Sequence, residues 1–455
     1  MSQHTSSTAP NADLELSTQP WWHSLTRYHW FVFVVAALGW LFDTMDQQLF
    51  TLARQPAMMD LLHVEPTDQE GMKEVRLYGG YATAIFLIGW ATGGLGFGIM
   101  GDRVGRAKTM VVTILMYSIF TGLSALSQKP WQFMVFRFLT GLGVGGEFAV
   151  GVALLAEVMP DRARPFAIGW LQSLSAVGNI TAALIALSGA DWRTMFIIGS
   201  GPALLALFIR RRLKEPEKWQ EAVRLKKERM GSYSEMFGNP RWRRNALVGL
   251  ALAFVGVVGL WGIAFFSFDL IRDVFYPHYK AQGLSDAQIG GKLSYWVGIG
   301  SILQNVGGFF GIHFYSRLSH RVGRRPAFLV AFLLAATSTA GTFWYLGKVT
   351  GVTDIYWMLP ILGFCQLSMF GGYAIYFPEL FPTRLRSTGT SFCYNVGRFV
   401  ASVGPFTLGH LARDVYGGYG NDAFRYAALT MCSVFLIGLA ALPFAPETRG
   451  QPLPE

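Results

Sequence analysis

Long apolar runs with short polar separators extend from residue 29 to residue 445. Each run has at least 18 residues, and an α-helix of that length crosses the roughly 30 Å hydrocarbon core of a bilayer. The runs cover residues 29–53, 78–100, 109–128, 130–157, 166–189, 193–210, 246–272, 293–316, 326–346, 354–378, 387–411 and 422–445. This pattern predicts an all-α membrane protein with twelve transmembrane helices.

Two motifs occur twice, at nearly the same separation along the chain. The pattern E-x-x-P-x-R-x-R spans residues 157–164 and again 379–386, which is 222 residues later. The tetrapeptide Arg-Val-Gly-Arg occupies residues 103–106 and 321–324, a separation of 218 residues. An offset of about half the chain indicates an internal duplication. We therefore predict two pseudo-symmetric six-helix bundles, the first at residues 29–210 and the second at 246–445.

Composition agrees with a membrane protein and argues against enzymes. The chain is 52% hydrophobic and 15% charged, whereas soluble proteins are about 25% charged. Residues 141–146 match the dinucleotide-binding pattern G-x-G-x-x-G in letters, but they lie inside an apolar run and not between a strand and a helix. We interpret these glycines as helix-packing residues. Since no Walker lysine, metalloprotease or nucleophile-elbow motif occurs, we expect no enzymatic activity, no cofactor and no metal.

The distribution of Lys and Arg predicts the orientation of the chain. Residues 210–244 hold twelve basic residues against five glutamates, and the loop at 317–325 adds four arginines. Residues 54–77, on the other side, are acidic on balance. Because cytoplasmic loops carry the excess of basic residues, we predict that both termini are cytoplasmic. This also explains the net charge of +10 without a nucleic-acid partner.

Three polar segments flank the predicted bundles. Residues 1–28 are interpreted as a retained cytoplasmic tail, because they lack the basic start and short apolar core of a signal peptide. Residues 211–245 form a predicted cytoplasmic linker that contains a short amphipathic helix, and residues 446–455 form a cytoplasmic C-terminal tail. Short outer loops favour the bacterial inner membrane, and we expect a monomer.

Few ionisable residues fall within the predicted spans, and they define a candidate proton-coupling set of Asp43, Asp46, Arg137 and Glu147. A charge at bilayer depth costs about 2.5–3.5 kcal/mol on insertion scales, so such residues are usually paired or functional. A helical rise of about 1.5 Å per residue puts Asp46 and Arg137 at similar depths, which favours an ion pair. Because the spans of the N-terminal half hold three carboxylates against one arginine, at least one carboxylate should bind a proton readily. The alternative is that the aspartates only brace a helix interface.

A second set of mid-span residues is a candidate solute site. By the same depth argument, Arg398 and Glu147 lie near the midplane and are placed to face one central cavity from opposite halves. The neutral polar residues predicted to join Arg398 are Gln172, Gln304, Asn305, Gln366, Tyr373 and Asn395. Such a set suits an uncharged or anionic solute. For any one of these amides, the alternative is an interhelical hydrogen bond.

Several motifs between residue 28 and residue 455 resemble those of the major facilitator superfamily. The stretch Gly98-x-x-x-Asp102-Arg103-x-Gly105-Arg106-x-Lys108 resembles its signature loop between spans 2 and 3. Two further motifs, Leu139-x-Gly141-Leu142-x-x-Gly145 and Pro446-Glu447-Thr448-Arg449-Gly450, are similar to sugar-porter signatures, and Pro216-Glu217 stands where the second would recur after span 6. The resemblance implies a transporter built from two helical bundles.

Within that superfamily, the charged residues are most similar to those of organic-acid:proton symporters, including aromatic-acid and sialic-acid carriers. The shared features are Asp43-x-x-Asp46 in span 1 and Asn395-x-Gly397-Arg398 in span 11. The resemblance implies that the two aspartates carry the proton and that Arg398 acts on the substrate anion. Span 5 lacks the glycine–proline motif of drug:proton antiporters, which argues against an exporter.

The repeated charged motifs fall at the predicted cytoplasmic ends of the spans, where we expect ion pairs to hold the two bundles together in the outward-open state. This predicted gate comprises Asp102, Arg103, Arg106, Glu157, Arg162, Arg164, Arg321, Arg324, Glu379, Arg384 and Arg386. In the second loop, Ser316 replaces the glycine and His320 replaces the aspartate. A neutral histidine cannot accept hydrogen bonds as an anion does, so we expect an asymmetric latch. His320 is either a pH sensor or a tolerated surface residue.

We predict a secondary active transporter that takes up a small organic carboxylate with protons by alternating access of the two bundles. Its partners would be the solute, protons and the lipid bilayer. The main alternative is a proton-coupled sugar or polyol transporter, which the sugar-porter-like motifs favour. A nutrient sensor that has a transporter fold and signals through the linker is a further alternative, and a membrane enzyme is the weakest.

Overall fold

The computed structural model describes residues 20–65, 68–202, 212–226 and 230–454. The described part of the first half is built from helices. The N-terminal bundle comprises α1 (Arg27–Leu62), α2 (Gln69–Arg103), α3 (Arg106–Ser124), α4 (Pro130–Val158), α5 (Arg164–Leu187) and α6 (Trp192–Gly199). Part of the predicted tail (1–19), part of span 6 (203–210) and linker residues 211 and 227–229 lie outside the described residues.

The C-terminal bundle comprises α7 (Pro240–Val257), α8 (Asp286–Val322), α9 (Arg324–Tyr345), α10 (Ile355–Glu379), α11 (Arg386–Ala401) and α12 (Ala423–Met431). Helical turns extend α7 into Ser267–Ala281 and α12 into Phe435–Ala441. Within the described ranges there is no β-strand, and nine helices are long and apolar enough to cross a membrane. The prediction of an all-α membrane protein is confirmed.

Glycines allow α2 and α4 to pack with their backbones in contact. A side chain at Gly141 would overlap the carbonyl oxygen of Phe86, and one at Gly145 would overlap that of Trp90. The C-terminal bundle repeats this arrangement between α8 and α10, where Gly311 lies against the carbonyl oxygen of Phe364. Close packing through small residues is a common way for helices to associate in lipid, and it explains the G-x-G-x-x-G pattern.

A π-helical turn at Val258–Ile263 interrupts α7 halfway across the bundle. Such turns occur frequently at functional sites because they change the direction in which a helix presents its side chains. Leu260 and Trp261, within this turn, line the central cavity described below. The irregularity in α7 therefore places two residues of the candidate site.

The linker lies on the face of the molecule that also carries both Arg-Val-Gly-Arg loops and the C-terminal tail, here called the connector face. Two short helices, Glu217–Lys226 and Tyr233–Gly238, form the described part of the linker. The indole N–H of Trp219 donates to the carbonyl oxygen of Asp102 at 2.7 Å. The linker is thus bound directly to the first signature loop. We call the opposite side the distal face.

Candidate functional site

A small cavity of about 60 Å³ lies between the two bundles at the centre of the molecule. The N-terminal bundle contributes Trp40, Thr44, Gln47, Gln48, Trp90, Gln172, Ser175 and Asn179. The C-terminal bundle contributes Leu260, Trp261, Gln304, Asn305, Leu367, Phe370, Tyr394 and Arg398. Of the predicted solute-binding residues, Arg398, Gln172, Gln304 and Asn305 therefore lie at this cavity.

Arg398 is the charged residue of the cavity wall, and its side chain is almost completely buried, with 1% exposed. Its Nη1 donates to the carbonyl oxygen of Tyr394 at 2.5 Å and to Oδ1 of Asn395 at 3.0 Å. The guanidinium lies 4.0 Å from the ring centre of Trp90, where cation–π attraction offsets part of its desolvation. Among the described residues, Nε has no hydrogen-bond partner and no carboxylate forms an ion pair with Arg398.

Aromatic rings and free amides make up most of the remaining wall. The indoles of Trp90 and Trp261, from opposite bundles, meet edge to face with their centres 5.7 Å apart. In the described part of the chain, both polar atoms of Gln304 and the side-chain oxygen of Gln172 have no hydrogen-bond partner. Buried amides normally satisfy their hydrogen bonds. These amides therefore provide donors and acceptors for a bound solute.

Three predicted solute-binding residues do not line the cavity. Gln366 donates a hydrogen bond to Thr339 within the C-terminal bundle. The hydroxyl of Tyr373 donates to the carbonyl oxygen of Leu252 at 2.7 Å. Asn395 accepts the hydrogen bond from Arg398 and donates to the carbonyl oxygen of Gly145, in the other bundle, at 3.3 Å. All three are buried, and their polar groups serve helix packing or positioning.

Several cavity residues were not singled out in the sequence, above all Trp40, Trp90, Trp261 and Tyr394. With 36 phenylalanines, 17 tyrosines and 14 tryptophans in the chain, aromatic residues carry little positional information. A usable signal exists in span 1, where positions 40, 44, 47 and 48 follow helical spacing and form one polar, partly aromatic face.

The structure brings Asp46 and Arg137 together, as their depths suggested. Oδ2 of Asp46 lies 3.7 Å from Nη1 of Arg137, and both side chains are fully buried. Oδ1 of Asp46 accepts a 2.6 Å hydrogen bond from Thr121, while Arg137 donates to Oγ of Ser124 at 2.7 Å. The ring of Phe196 covers the guanidinium, whose central carbon lies 4.6 Å from the ring centre. This pair is enclosed within the N-terminal bundle.

Asp43 and Glu147 are buried without an ion pair in the described structure. Oε2 of Glu147 accepts a 2.6 Å hydrogen bond from Thr113, and Glu147 does not line the cavity that we expected it to share with Arg398. Asp43 also lies behind the cavity wall, where the charges of Glu147 and Arg398 act on it. Its Oδ2 accepts a 3.3 Å hydrogen bond from Gln47, which does line the cavity. Gln47 thus connects Asp43 to the cavity.

A second cavity, of about 410 Å³, continues from the centre toward the distal face. Gln47, Gln48 and Trp261 line both cavities. Arg54 and Arg272 lie at the wall of this outer cavity. The two cavities together lead from the centre of the molecule toward the distal face.

On the connector face, Asp102 joins the two bundles. Its carboxylate accepts hydrogen bonds from the backbone N–H groups of Ser387 and Thr388, at 3.1 and 2.9 Å, and from the Thr388 hydroxyl at 2.6 Å. These groups belong to the N-terminus of α11, where a negative charge complements the helix dipole. Arg106 lies 2.8 Å from the same carboxylate.

Glu157 forms the other charged contact between the bundles. Its Oε1 lies 2.9 Å from both Nη2 of Arg106 and Nη1 of Arg386, and all three side chains are fully buried. Arg106 also donates to the carbonyl oxygen of Thr383 at 2.8 Å. Because Arg386 and Thr383 belong to the C-terminal half, this buried network closes the connector face.

The other predicted gate residues lie elsewhere on this face. Arg324 and Glu379 pair within the C-terminal bundle at 2.8 Å. Arg164 stays within the N-terminal bundle, where it donates to a carbonyl oxygen of α4 at 2.8 Å. Arg162 and Arg321 are exposed.

Two more predicted gate residues hold the linker. Nε of Arg103 donates to the carbonyl oxygen of Met230 at 2.9 Å. Arg384 pairs with Glu235 of the second linker helix at 2.8 Å. The linker is therefore bound to both bundles beside the closed gate.

The second signature loop makes a different contact, in line with its altered sequence. Oγ of Ser316 donates to the carbonyl oxygen of Pro165 at 3.1 Å, and the ring of His320 lies 5.0 Å from that of Phe166. Burial and the charges of Arg324 and other nearby arginines lower the pKa of His320 below its ordinary value. A neutral contact thus stands where the first loop has a charged one.

Two glutamates cap helices at equivalent positions in the halves. Glu447 accepts hydrogen bonds from the first two backbone N–H groups of α9 at 2.9 and 3.1 Å. Glu215 accepts from the backbone N–H groups of Ala107 and Lys108, both at 3.1 Å. Glu215 immediately precedes the Pro216-Glu217 motif, and Glu217 is the first residue of the linker helix.

Comparisons with known proteins agree with this architecture. Residues 32–405 match the family model of the Major Facilitator Superfamily. The chain is 31% identical to a probable 4-methylmuconolactone transporter of Cupriavidus pinatubonensis, covering 90% of this chain and 89% of the relative. It is 30% identical to the cis,cis-muconate transport protein of Acinetobacter baylyi, covering 76% and 81%.

Among solved structures, the proton:xylose symporter XylE of E. coli superimposes with a TM-score of 0.70 over 94% of this chain and 98% of XylE. The sequence identity is 18%, so this similarity shows the fold alone. It confirms the predicted arrangement of twelve helices in two bundles. The chain belongs to the major facilitator superfamily and is a multi-pass membrane transporter, not an enzyme.

Proposed function

We propose that the protein takes up a small organic anion together with protons, by alternating access of its two bundles. The observation that carries this proposal is the buried guanidinium of Arg398, which has no ion-pairing carboxylate in the described structure. A buried charge without a partner is costly, and a solute carboxylate in the cavity would compensate it. The names of two relatives, a cis,cis-muconate transport protein and a probable 4-methylmuconolactone transporter, support an organic anion.

Proton coupling would use the buried carboxylates of α1 and α4. Arg137 balances Asp46, whereas among the described residues Asp43 and Glu147 have neutral hydrogen-bond partners and form no ion pair. Keeping both ionised would place two uncompensated charges in a low-dielectric region. We propose that Asp43 carries the transported proton and that Gln47 makes its proton affinity depend on the contents of the cavity.

Alternating access would use the closed connector face as one of two states. We propose that this face is cytoplasmic, since the linker and the second loop together hold sixteen of the 38 basic residues of the chain, and that the membrane is a bacterial inner membrane. Opening would separate Asp102 from α11 and Glu157 from Arg386, while the path toward the distal face narrows.

A neutral sugar or polyol is the second candidate, because the free amides of Gln172 and Gln304 suit hydroxyl groups. Thermal unfolding of the purified protein with a panel of carboxylates and sugars separates the two. We expect carboxylates to raise the melting temperature. In Arg398→Gln, the same rise should need at least a tenfold higher carboxylate concentration, because charge-assisted hydrogen bonds contribute about 1.5–3 kcal/mol.

Tyr373→Phe is the matched control, since Tyr373 is buried but does not line the cavity. It should leave the ligand dependence unchanged. The anion proposal would be ruled out if carboxylates did not stabilise the protein, while sugars stabilised both wild type and Arg398→Gln. Binding without exchange in a counterflow assay would favour a sensor.

A further inference from the structure

The connector face holds a groove that shares no lining residue with the central cavity or the outer cavity. Its volume is about 910 Å³. The starts of α7 and α9, the end of the twelfth span and the C-terminal tail form its walls. Three arginines, Arg241, Arg244 and Arg325, line it.

The three guanidiniums contact only neutral groups. Arg244 donates to the carbonyl oxygen of Phe444 at 3.2 Å, and Arg325 donates to that of Pro443 at 3.1 Å. Arg241 lies over the ring of Trp242, 4.7 Å from its centre. In the described part of the chain, none of the three forms an ion pair with a carboxylate. All three side chains are exposed.

The two carboxylates in the groove are already engaged by other groups. Glu379 pairs with Arg324 and accepts a 2.6 Å hydrogen bond from Thr448. Glu447 accepts backbone hydrogen bonds at the start of α9, and these outweigh the opposing effect of burial, so its pKa is lowered and it remains an anion. Among the described residues, and counting Arg324 with the three lining arginines, four cations stand against two anions, so this part of the groove has a positive charge.

The rim of the groove is apolar and continues onto the outer surface of the helices. Leu247 follows Arg244 by about one turn of α7 and is 52% exposed. Phe444, whose carbonyl binds Arg244, is 60% exposed. Phe444 is the last residue of one candidate membrane span, and Leu247 lies about two turns inside another. Basic groups at the level of the headgroups, next to exposed apolar side chains, match the two parts of a phospholipid.

We propose that this groove binds one anionic phospholipid. The headgroup phosphate would lie among Arg241, Arg244 and Arg325, which suit phosphate because guanidinium groups form charge-assisted, often bidentate, hydrogen bonds. The acyl chains would run along Leu247 and Phe444. The proposal is independent of the solute that the central cavity takes.

Native mass spectrometry of the purified full-length protein, titrated with dioleoylphosphatidylglycerol or dioleoylphosphatidylcholine, tests it. We expect the anionic lipid to bind at least tenfold more tightly than the zwitterionic one. The triple variant Arg241→Gln/Arg244→Gln/Arg325→Gln should lose this preference. If that variant does not fold, Arg325→Gln alone should weaken binding of the anionic lipid at least threefold.

A triple variant that removes the same number of exposed cations from the rest of this face, Arg27→Gln/Lys108→Gln/Arg224→Gln, is the control and should keep the preference. Equal losses in both triple variants would show general charge attraction and overturn the site. Glycerol phosphate that binds as tightly as the lipid would show a soluble anion site and overturn the lipid assignment.

Discussion

Gln47 connects the central cavity to a buried carboxylate. Its amide lines the cavity and donates to Asp43 at 3.3 Å. Hydrogen bonds to a carboxylate favour its ionised form, so a solute that draws the amide of Gln47 away would favour protonation of Asp43. Solute binding and proton binding would then be linked through one side chain.

Replacing Gln47 with leucine should therefore uncouple the transporter. We expect uptake driven by an acid gradient into proteoliposomes to fall at least fivefold, while counterflow of the solute, which needs no net proton movement, is kept within about twofold.

Gln48→Leu is the matched control. Gln48 is the same residue type, lines the same cavity and donates a hydrogen bond of the same length, 3.3 Å, to Ser301 and not to a carboxylate. It should leave the proton-to-solute ratio unchanged. The same loss of gradient-driven uptake in both variants would contradict the role assigned to Gln47.

His320 predicts a small pH dependence of stability. Its pKa is lowered in the folded protein by burial and nearby arginines, so its contribution to stability is present above its ordinary value of about 6.5 and is lost as pH falls through the lowered value. When pH falls from about 7.5 to about 5.5, the melting temperature should fall more for wild type than for His320→Gln. The difference should be only about 1 °C, because the side chain is only partly buried and water screens its charge. An identical fall in both proteins would exclude this contribution.

At the scale of elements, the sequence predicts how deep in the membrane a side chain lies better than it predicts the direction in which that side chain points. Residue counting along the spans correctly brought Asp46 and Arg137 together, since helical rise sets the depth of each residue. It could not tell that Glu147 points into its own bundle, or that Gln366 and Tyr373 bind neighbouring helices. Those directions depend on how each helix is rotated against its neighbours, and the π-helical turn that places Trp261 has no clear sequence signal.

The contact between α2 and α4 depends on glycines, and a methyl group should disturb it. Gly145→Ala would place a carbon against the carbonyl of Trp90. Overpacking costs about 1–3 kcal/mol, which lowers the melting temperature by several degrees. Gly96→Ala, in α2, is the control, because nothing lies within 4 Å of the added carbon. If both variants melted alike, the close contact would not contribute to stability.

At the scale of the molecule, the duplicated halves close the connector face unequally. The first signature loop holds the N-terminus of α11 with a carboxylate, and Glu157 adds a buried ion pair to Arg386. The second loop contacts the other bundle through the neutral groups of Ser316 and His320. Opening must therefore break charged contacts mainly between α2, α4 and α11.

Removing one charge should favour the open state. Glu157→Gln leaves Arg106 and Arg386 without their shared carboxylate, a loss of about 3–5 kcal/mol for a buried pair. Ser387→Cys, in a background without Cys365, Cys393 and Cys432, reports opening, because Ser387 is fully buried beside Gly101 in the closed state. Maleimide should label this cysteine at least tenfold faster in the Glu157→Gln variant. Unchanged labelling would show that Glu157 does not hold the gate.

The central claim is that an organic anion and a proton cross together, and proton movement measured during solute addition tests it most directly. In proteoliposomes with the membrane potential clamped at zero, adding a carboxylate that binds should raise the external pH, because protons enter with it. Asp43→Asn and Arg398→Gln should each abolish this rise. Solute entry with no change in pH, or with acidification, would contradict proton symport.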